Sequence, residues 1–159
     1  MTDTSPPSPT GASMSVGIDS TERARLIDLV GAETVPYWAT IGVTVDEVYG
    51  PGHVTLKLSM QPAILNRREV IHGGAIMSLI DAAGGGAVRT LTPADQVAPG
   101  FPTTDINVTF VSAARGDVRA TGRVVRRGRH LVFVQVEVHD QESTLVALAR
   151  VTYMVLNGS

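Results

Sequence analysis

Gly73-Gly74-Ala75-Ile76-Met77-Ser78-Leu79-Ile80-Asp81-Ala82-Ala83-Gly84-Gly85-Gly86-Ala87-Val88-Arg89 is the stretch that decides how this chain folds. From Gly74 to about Thr90 nearly every position is apolar, with no polar stripe, so the run reads as one long buried helix. A helix apolar all round has to be surrounded. A six-stranded antiparallel sheet curled about it does this simply, which makes the expected class α+β.

The flanks supply those strands. Upstream, Asp19 and Glu22 followed by Leu26, Ile27, Leu29 and Val30 predict a short capped amphipathic helix ending near Gly31. Ile41, Val43 and Val45, the Gly50-Pro51-Gly52 turn, and Val54, Leu56 and Leu58 then give a hairpin, and Gln61–Ile71 reads as a loop. Downstream of a connection carrying Pro93, Pro99, Gly100 and Pro102, four β-rich runs follow, at Thr104–Val111, Val118–Val125, Leu131–Val138 and Leu145–Val155. Gly116-Asp117, Arg127-Gly128 and Asp140-Gln141 separate them as turns. Consecutive strands are therefore expected to run antiparallel, with a parallel crossover left open.

The chain has 159 residues, is 43% hydrophobic and carries a net charge of −2, so one core of ordinary size is affordable and no polyelectrolyte character draws it to nucleic acid or anionic lipid. Residues 1–18, rich in Ser, Thr, Pro and Gly at the start, read as a disordered tail without a secretion signal, and residues 19–159 as one domain. No run reaches the roughly 20 apolar residues of a membrane span. The chain lacks cysteine, which excludes disulfides, thiol nucleophiles and thiolate-bound metals and suits a cytoplasmic location. Its four histidines show no metal-site spacing, so no metal or cofactor is expected.

Asp81 is the only ionisable residue between Gly73 and Val88 and needs an explanation in apolar surroundings. It is either a carboxylate satisfied by structural donors or a general base or nucleophile in a dry pocket. His72-Gly73-Gly74 opens the helix as a turn. Its unpaired N–H groups at the positive end of the dipole would also suit a developing oxyanion. Asp81 lies eight residues beyond Gly73, roughly 12 Å along one helix. One chain's Asp81 therefore cannot easily serve its own Gly73, and two antiparallel helices in a two-fold dimer would bring the pair together. Glycines 84–86 cost on the order of 1 kcal/mol each in an exposed helix. Close helix packing, space for a ligand, or fraying would account for them. Ser78 lacks the flanks of a nucleophile elbow. Tyr37 and Trp38 are core anchors or pocket walls.

Asn66, His72-Gly73-Gly74, Leu79, Asp81 and Gly85, with Thr103–Val108 and the basic turn Arg126-Arg127-Gly128-Arg129-His130, resemble the hotdog thioesterases of the phenylacetate-pathway and THEM-like branch. The likeness covers roughly residues 33–156. It implies hydrolysis of an acyl-CoA, with Asp81 activating water or attacking the thioester and Thr103 orienting the water. Gly73 N–H and the Asn66 side chain would polarise the carbonyl, in a homodimer paired again into a homotetramer. His72, Gly74, Ser112 and Arg115 would line the substrate site. Arg126, Arg127, Gly128, Arg129 and His130 would bind CoA phosphates, arginine forks being suited to phosphate, although a basic turn also serves as a solvated edge. His72 itself reads more simply as a structural, hydrogen-bonded residue. Two positions depart from the family pattern: Glu69 stands where many members have Gly, and Ala113 where many have Pro. A hydratase reading lacks its Asp-x-Asn-Pro-x-His motif. A non-catalytic acyl-CoA sensor is the alternative of another class, and release of free thiol separates it from the esterase.

Overall fold

The computed structural model describes residues 18–31, 35–93, 95–96 and 100–156. The expected N-terminal tail, apart from Ile18, and Pro99 lie outside them. Among the described residues three α-helices, α1 (Ser20–Gly31), α2 (Pro36–Ile41) and α3 (Gly73–Arg89), accompany six strands: β1 (Val43–Gly50), β2 (His53–Leu58), β3 (Thr103–Phe110), β4 (Val118–Arg127), β5 (Leu131–Asp140) and β6 (Leu145–Met154). The strands form one antiparallel sheet in the order β1-β2-β4-β5-β6-β3.

Both expected hairpin regions form, β1–β2 and β4–β5–β6. β3 and β4 do not pair, however: β3 crosses to the far edge and pairs with β6, while β4 pairs with β2. Gly116 does adopt the left-handed turn conformation, with φ 80, but a turn sets only the local reversal. Which edge accepts β3 is set by its packing on α3, where Phe110 stands over Gly73 and Thr103 reaches Asp81.

The Asp19 cap is present, its carboxylate accepting from Glu22 N–H at 2.8 Å, and α1 buries Leu26 and Val30. Ile41 is not a strand residue. It closes α2, a helix started by Pro36 and ended by Gly42 at φ 83. A bulge between Val45 and Glu47 then changes the phase of β1, so that Val48, not a residue in step with Val43 and Val45, is fully buried. The expected loop over 61–71 holds a 3-10 turn, Pro62–Ile64, and a bridge between Leu65 and Ile71.

Helix α3 lies across the sheet with Leu79, Ile80, Ala83 and Ala87 fully buried. Its backbone approaches β4 closely: a Cβ on Gly122 would lie 2.5 Å from the Ala83 carbonyl oxygen. The other face is less covered. Gly74 and Met77 are exposed, and Ser78, Asp81, Gly85 and Arg89 are half-buried, a stripe at helical spacing.

Candidate active site

The start of α3 is built around His72, the N-cap, in extended conformation. Its Nδ1 accepts from Gly74 N–H at 2.9 Å, and its carbonyl accepts from Ala75 at 2.9 Å and Ile76 at 3.2 Å. These bonds satisfy the first turn except at Gly73, whose N–H has no acceptor among the described residues. His72 and Gly74 thus hold each other, and Gly73 is the donor left at the positive end of the helix.

The preceding loop folds back toward this donor. Asn66 Oδ1 accepts from Arg68 N–H at 2.8 Å, Glu69 N–H donates to Asn66 O at 3.0 Å, and Asn66 N–H donates to Val70 O at 2.9 Å. Such an Asx turn fixes the carboxamide and leaves its Nδ2 available as a donor. Glu69 has φ 56. This is the left-handed backbone for which glycine is suited, so Glu69 holds a conformation that an L side chain adopts at a cost. Ile71 N–H donates to Ala114 O at 3.2 Å, joining the loop to the segment after β3. Asn66, Gly73, Phe110, Ser112 and Arg115 share one open cavity of about 380 Å³.

Asp81 faces a different cavity, of about 230 Å³, with Gly85, Trp38, Phe101, Thr103 and Tyr153 among its walls. Thr103 Oγ1 donates to Asp81 Oδ1 at 2.7 Å. The Tyr153 hydroxyl donates to the Asp81 carbonyl at 2.7 Å and lies 3.3 Å from Oδ1. Burial, then the charge of Asp81, pushes the Tyr153 phenol far above its ordinary value, so the hydroxyl remains a donor. Every carboxylate contact among the described residues is made to Oδ1, which leaves Oδ2 for a water or a substrate atom.

Tyr153 is the member of this site that sequence reading missed. The signal was present: a phenol in the buried phase of the β6 alternation must find a partner for its hydroxyl, and Asp81 is the polar residue in the apolar run it faces. Trp38 takes the pocket-wall role. Tyr37 instead bonds Ser78 Oγ at 2.7 Å, and Ser78 donates to Gly74 O, so that serine has no basic partner.

The basic turn belongs to neither half of the arrangement directly. Arg126, Arg127, Arg129 and His130 are exposed around Gly128, whose N–H donates to Leu131 O at 2.7 Å. Arg127 donates to Leu91 O at 3.3 Å and lines a small cavity that shares Phe101 with the Asp81 cavity. The turn is therefore on the Asp81 side of the chain, and Arg115 on the Gly73 side. No group of three His, Asp or Glu able to hold a metal occurs among the described residues, and no described helix is long and apolar enough to cross a membrane.

The family model of the thioesterase superfamily matches residues 69–147, which include the helix start, Asp81 and strands β3, β4 and β5. A candidate esterase of Halobacterium salinarum is 32% identical, the match covering 87% of this chain and 96% of that protein. The chain belongs to the thioesterase superfamily. The medium/long-chain acyl-CoA thioesterase YigI of Escherichia coli is 25% identical over 89% of this chain and 99% of its own length. The Escherichia coli PaaI protein from the phenylacetic acid degradation operon superposes with a TM-score of 0.74 at 18% identity, over 88% of this chain and 97% of that one. The fold is accordingly the hotdog, a long helix laid on a curled antiparallel sheet.

Proposed function

We propose that this thioesterase-superfamily protein hydrolyses acyl-CoA thioesters at a site shared by two subunits, Asp81 and Thr103 coming from one and Gly73 and Asn66 from the other. The observation that carries this reading is the separation of the two pairs into different cavities of one chain. An isologous dimer joins them twice. Two features favour such a partner: β3 is an edge strand paired on one side only, and the less-covered stripe of α3 lies beside it.

The chemistry follows from the donors. Asp81 takes a proton from a water, whose oxygen attacks the thioester carbonyl carbon. Gly73 N–H and Asn66 Nδ2 hydrogen-bond the resulting oxyanion, and collapse breaks the carbon–sulfur bond. CoA leaves as thiolate and recovers the proton, giving free acid and CoA. Oδ1 is anchored by Thr103, so the water is met by Oδ2. Direct attack by Oδ2, with the acyl anhydride then hydrolysed, uses the same geometry. Arg115 and the basic turn supply cations for the CoA phosphates.

Thiol release from a panel of acyl-CoAs tests the activity. Asp81→Asn is expected to lower kcat by about 10²–10⁴-fold. Gly73→Pro removes a single N–H at the first helical position, where proline is accommodated, and is expected to cost about 10²–10³-fold. Mixing the two inactive proteins should restore about a quarter of wild-type activity, since half of the random dimers carry one intact site. Absence of recovery despite measured subunit exchange refutes the shared site. Binding without thiol release by the wild type favours the sensor instead.

A further inference from the structure

The three consecutive glycines of α3 do different work. A Cβ on Gly84 would collide with the Tyr153 hydroxyl, and a Cβ on Gly86 would press on Val30 Cγ1 at 3.2 Å and Val54 Cγ2 at 3.4 Å. A side chain at Gly84 would therefore have to displace Tyr153, and one at Gly86 would crowd the core. Gly85 differs: a Cβ there would meet nothing closer than Tyr153 Cε1 at 3.8 Å and Phe101 Cε2 at 3.9 Å, ordinary contact distances. Packing among the described residues of the chain gives no reason for the missing side chain at this position, and an unneeded glycine inside a helix is unfavourable.

Gly85 lies one turn beyond Asp81, on the half-buried stripe that continues to Arg89, and all three line the Asp81 cavity. From Asp81 to Arg89 this stripe is roughly 12 Å long. Its side walls are Val30, Trp38 and Phe101. Arg89, whose Nε donates to Leu29 O at 2.9 Å, marks the far end. The volume of about 230 Å³ falls between the roughly 150 Å³ cavity that holds benzene and the roughly 300–1,000 Å³ of sites for drug-sized ligands. A medium-length apolar tail suits that space, and nothing along Gly85 would contact it but backbone.

We propose that Gly85 is the specificity-determining residue of the Asp81 cavity, its missing side chain leaving the path by which an unbranched, medium-length acyl tail runs from the carboxylate toward Trp38 and Val30. The inference rests on the hydrolytic reading above and adds the substrate class. Because a Cβ at this position meets only ordinary contact distances, Gly85→Ala narrows the path without displacing Tyr153 or Phe101, and Gly85→Leu carries the obstruction further into the cavity.

The experiment compares butyryl-CoA and octanoyl-CoA with the wild type, Gly85→Ala and Gly85→Leu, each checked by thermal melting. Gly85→Leu is expected to lower the ratio of kcat/KM for octanoyl-CoA over butyryl-CoA by about 10–200-fold, with Gly85→Ala between it and the wild type. An unchanged ratio, whether both activities fall together or neither falls, overturns the proposal. Calorimetric titration of the same two thioesters into the same variants on an Asp81→Asn background reads the pocket without turnover. A wild type that hydrolyses neither thioester sinks the hydrolytic reading alone. The role of Gly85 then stands or falls on whether Gly85→Leu selectively weakens octanoyl-CoA binding.

Discussion

Gly84→Ala is the sharpest test of how the Asp81 region is held. The new methyl group would overlap the Tyr153 hydroxyl and approach Cε2 and Cζ of the ring at 3.1 and 3.2 Å. Tyr153 is only 2% exposed and cannot swing into solvent. Three effects then set the size of the change. Overpacking costs about 1–3 kcal/mol, and losing the buried 2.7 Å bond to the Asp81 carbonyl costs about another 0.5–1.5 kcal/mol. Against these, alanine gains about 1 kcal/mol over glycine in a helix. The net expectation is a loss of about 0.5–3.5 kcal/mol.

Tyr153→Phe alone should cost about 1 kcal/mol, the hydrogen bond without the overlap. In the double variant the hydroxyl that collides is gone, and the ring has only a few tenths of an ångström to give. Its loss should therefore fall short of the sum of the single losses by about 1–2 kcal/mol. Urea unfolding measures all three, with unchanged m-values securing the comparison. Additivity within about 0.5 kcal/mol would refute the claim that Gly84 is bare in order to admit the Tyr153 hydroxyl.

Further predictions concern stability and its pH dependence. Glu69 at φ 56 bears about 1–2 kcal/mol of left-handed strain, of which glycine's extra unfolded freedom offsets about 0.5–1 kcal/mol. Glu69→Gly should therefore raise stability by about 0.5–1 kcal/mol, seen as a higher urea midpoint, and a lower midpoint contradicts it. Burial, then the nearby Arg123 charge, holds the His53 imidazole below its ordinary value, so the folded state favours the neutral ring. That contribution is complete above the unfolded value of about 6.5 and is lost as pH falls through the folded value. The urea midpoint of the wild type should thus decline more steeply than that of His53→Gln from about pH 7.5 to 5, and parallel curves would exclude His53 as the cause.

The sequence made α3 and its single carboxylate legible because both are local facts: an apolar run longer than a strand, and one acidic residue within it. The separation of Asp81 from Gly73 was equally legible, since helical rise alone gives it. The position of β3 was not. Its turn residues are ordinary, and its place beside β6 depends on contacts with α3 far away in the chain. Helix α2 was missed although it carries Pro36 at its start and left-handed Gly42 at its end, because six residues show too little periodicity and Ile41 matched the alternation of β1. The left-handed backbone at Glu69 is a dihedral fact, which the sequence does not display.

Why α3 keeps a partly open stripe is a question of cost. Ten of its residues are buried, and the sheet could cover the remainder if the helix were only a core element. Instead Asp81 sits on the uncovered side, with Thr103 and Tyr153 holding Oδ1. A carboxylate closed off without further partners would be an expensive way to hold a helix in place. The proposed two-fold partner removes the difficulty. It would cover Met77 and the outer edge of β3, bring the Gly73 N–H, which has no acceptor among the described residues, to the open side of Asp81, and leave a polar space for water and a thioester carbonyl. On this reading the donor and carboxylate are each incomplete for the same reason, and a variant that keeps the chain folded but monomeric should lose hydrolysis while retaining its hydrogen bonds at Asp81.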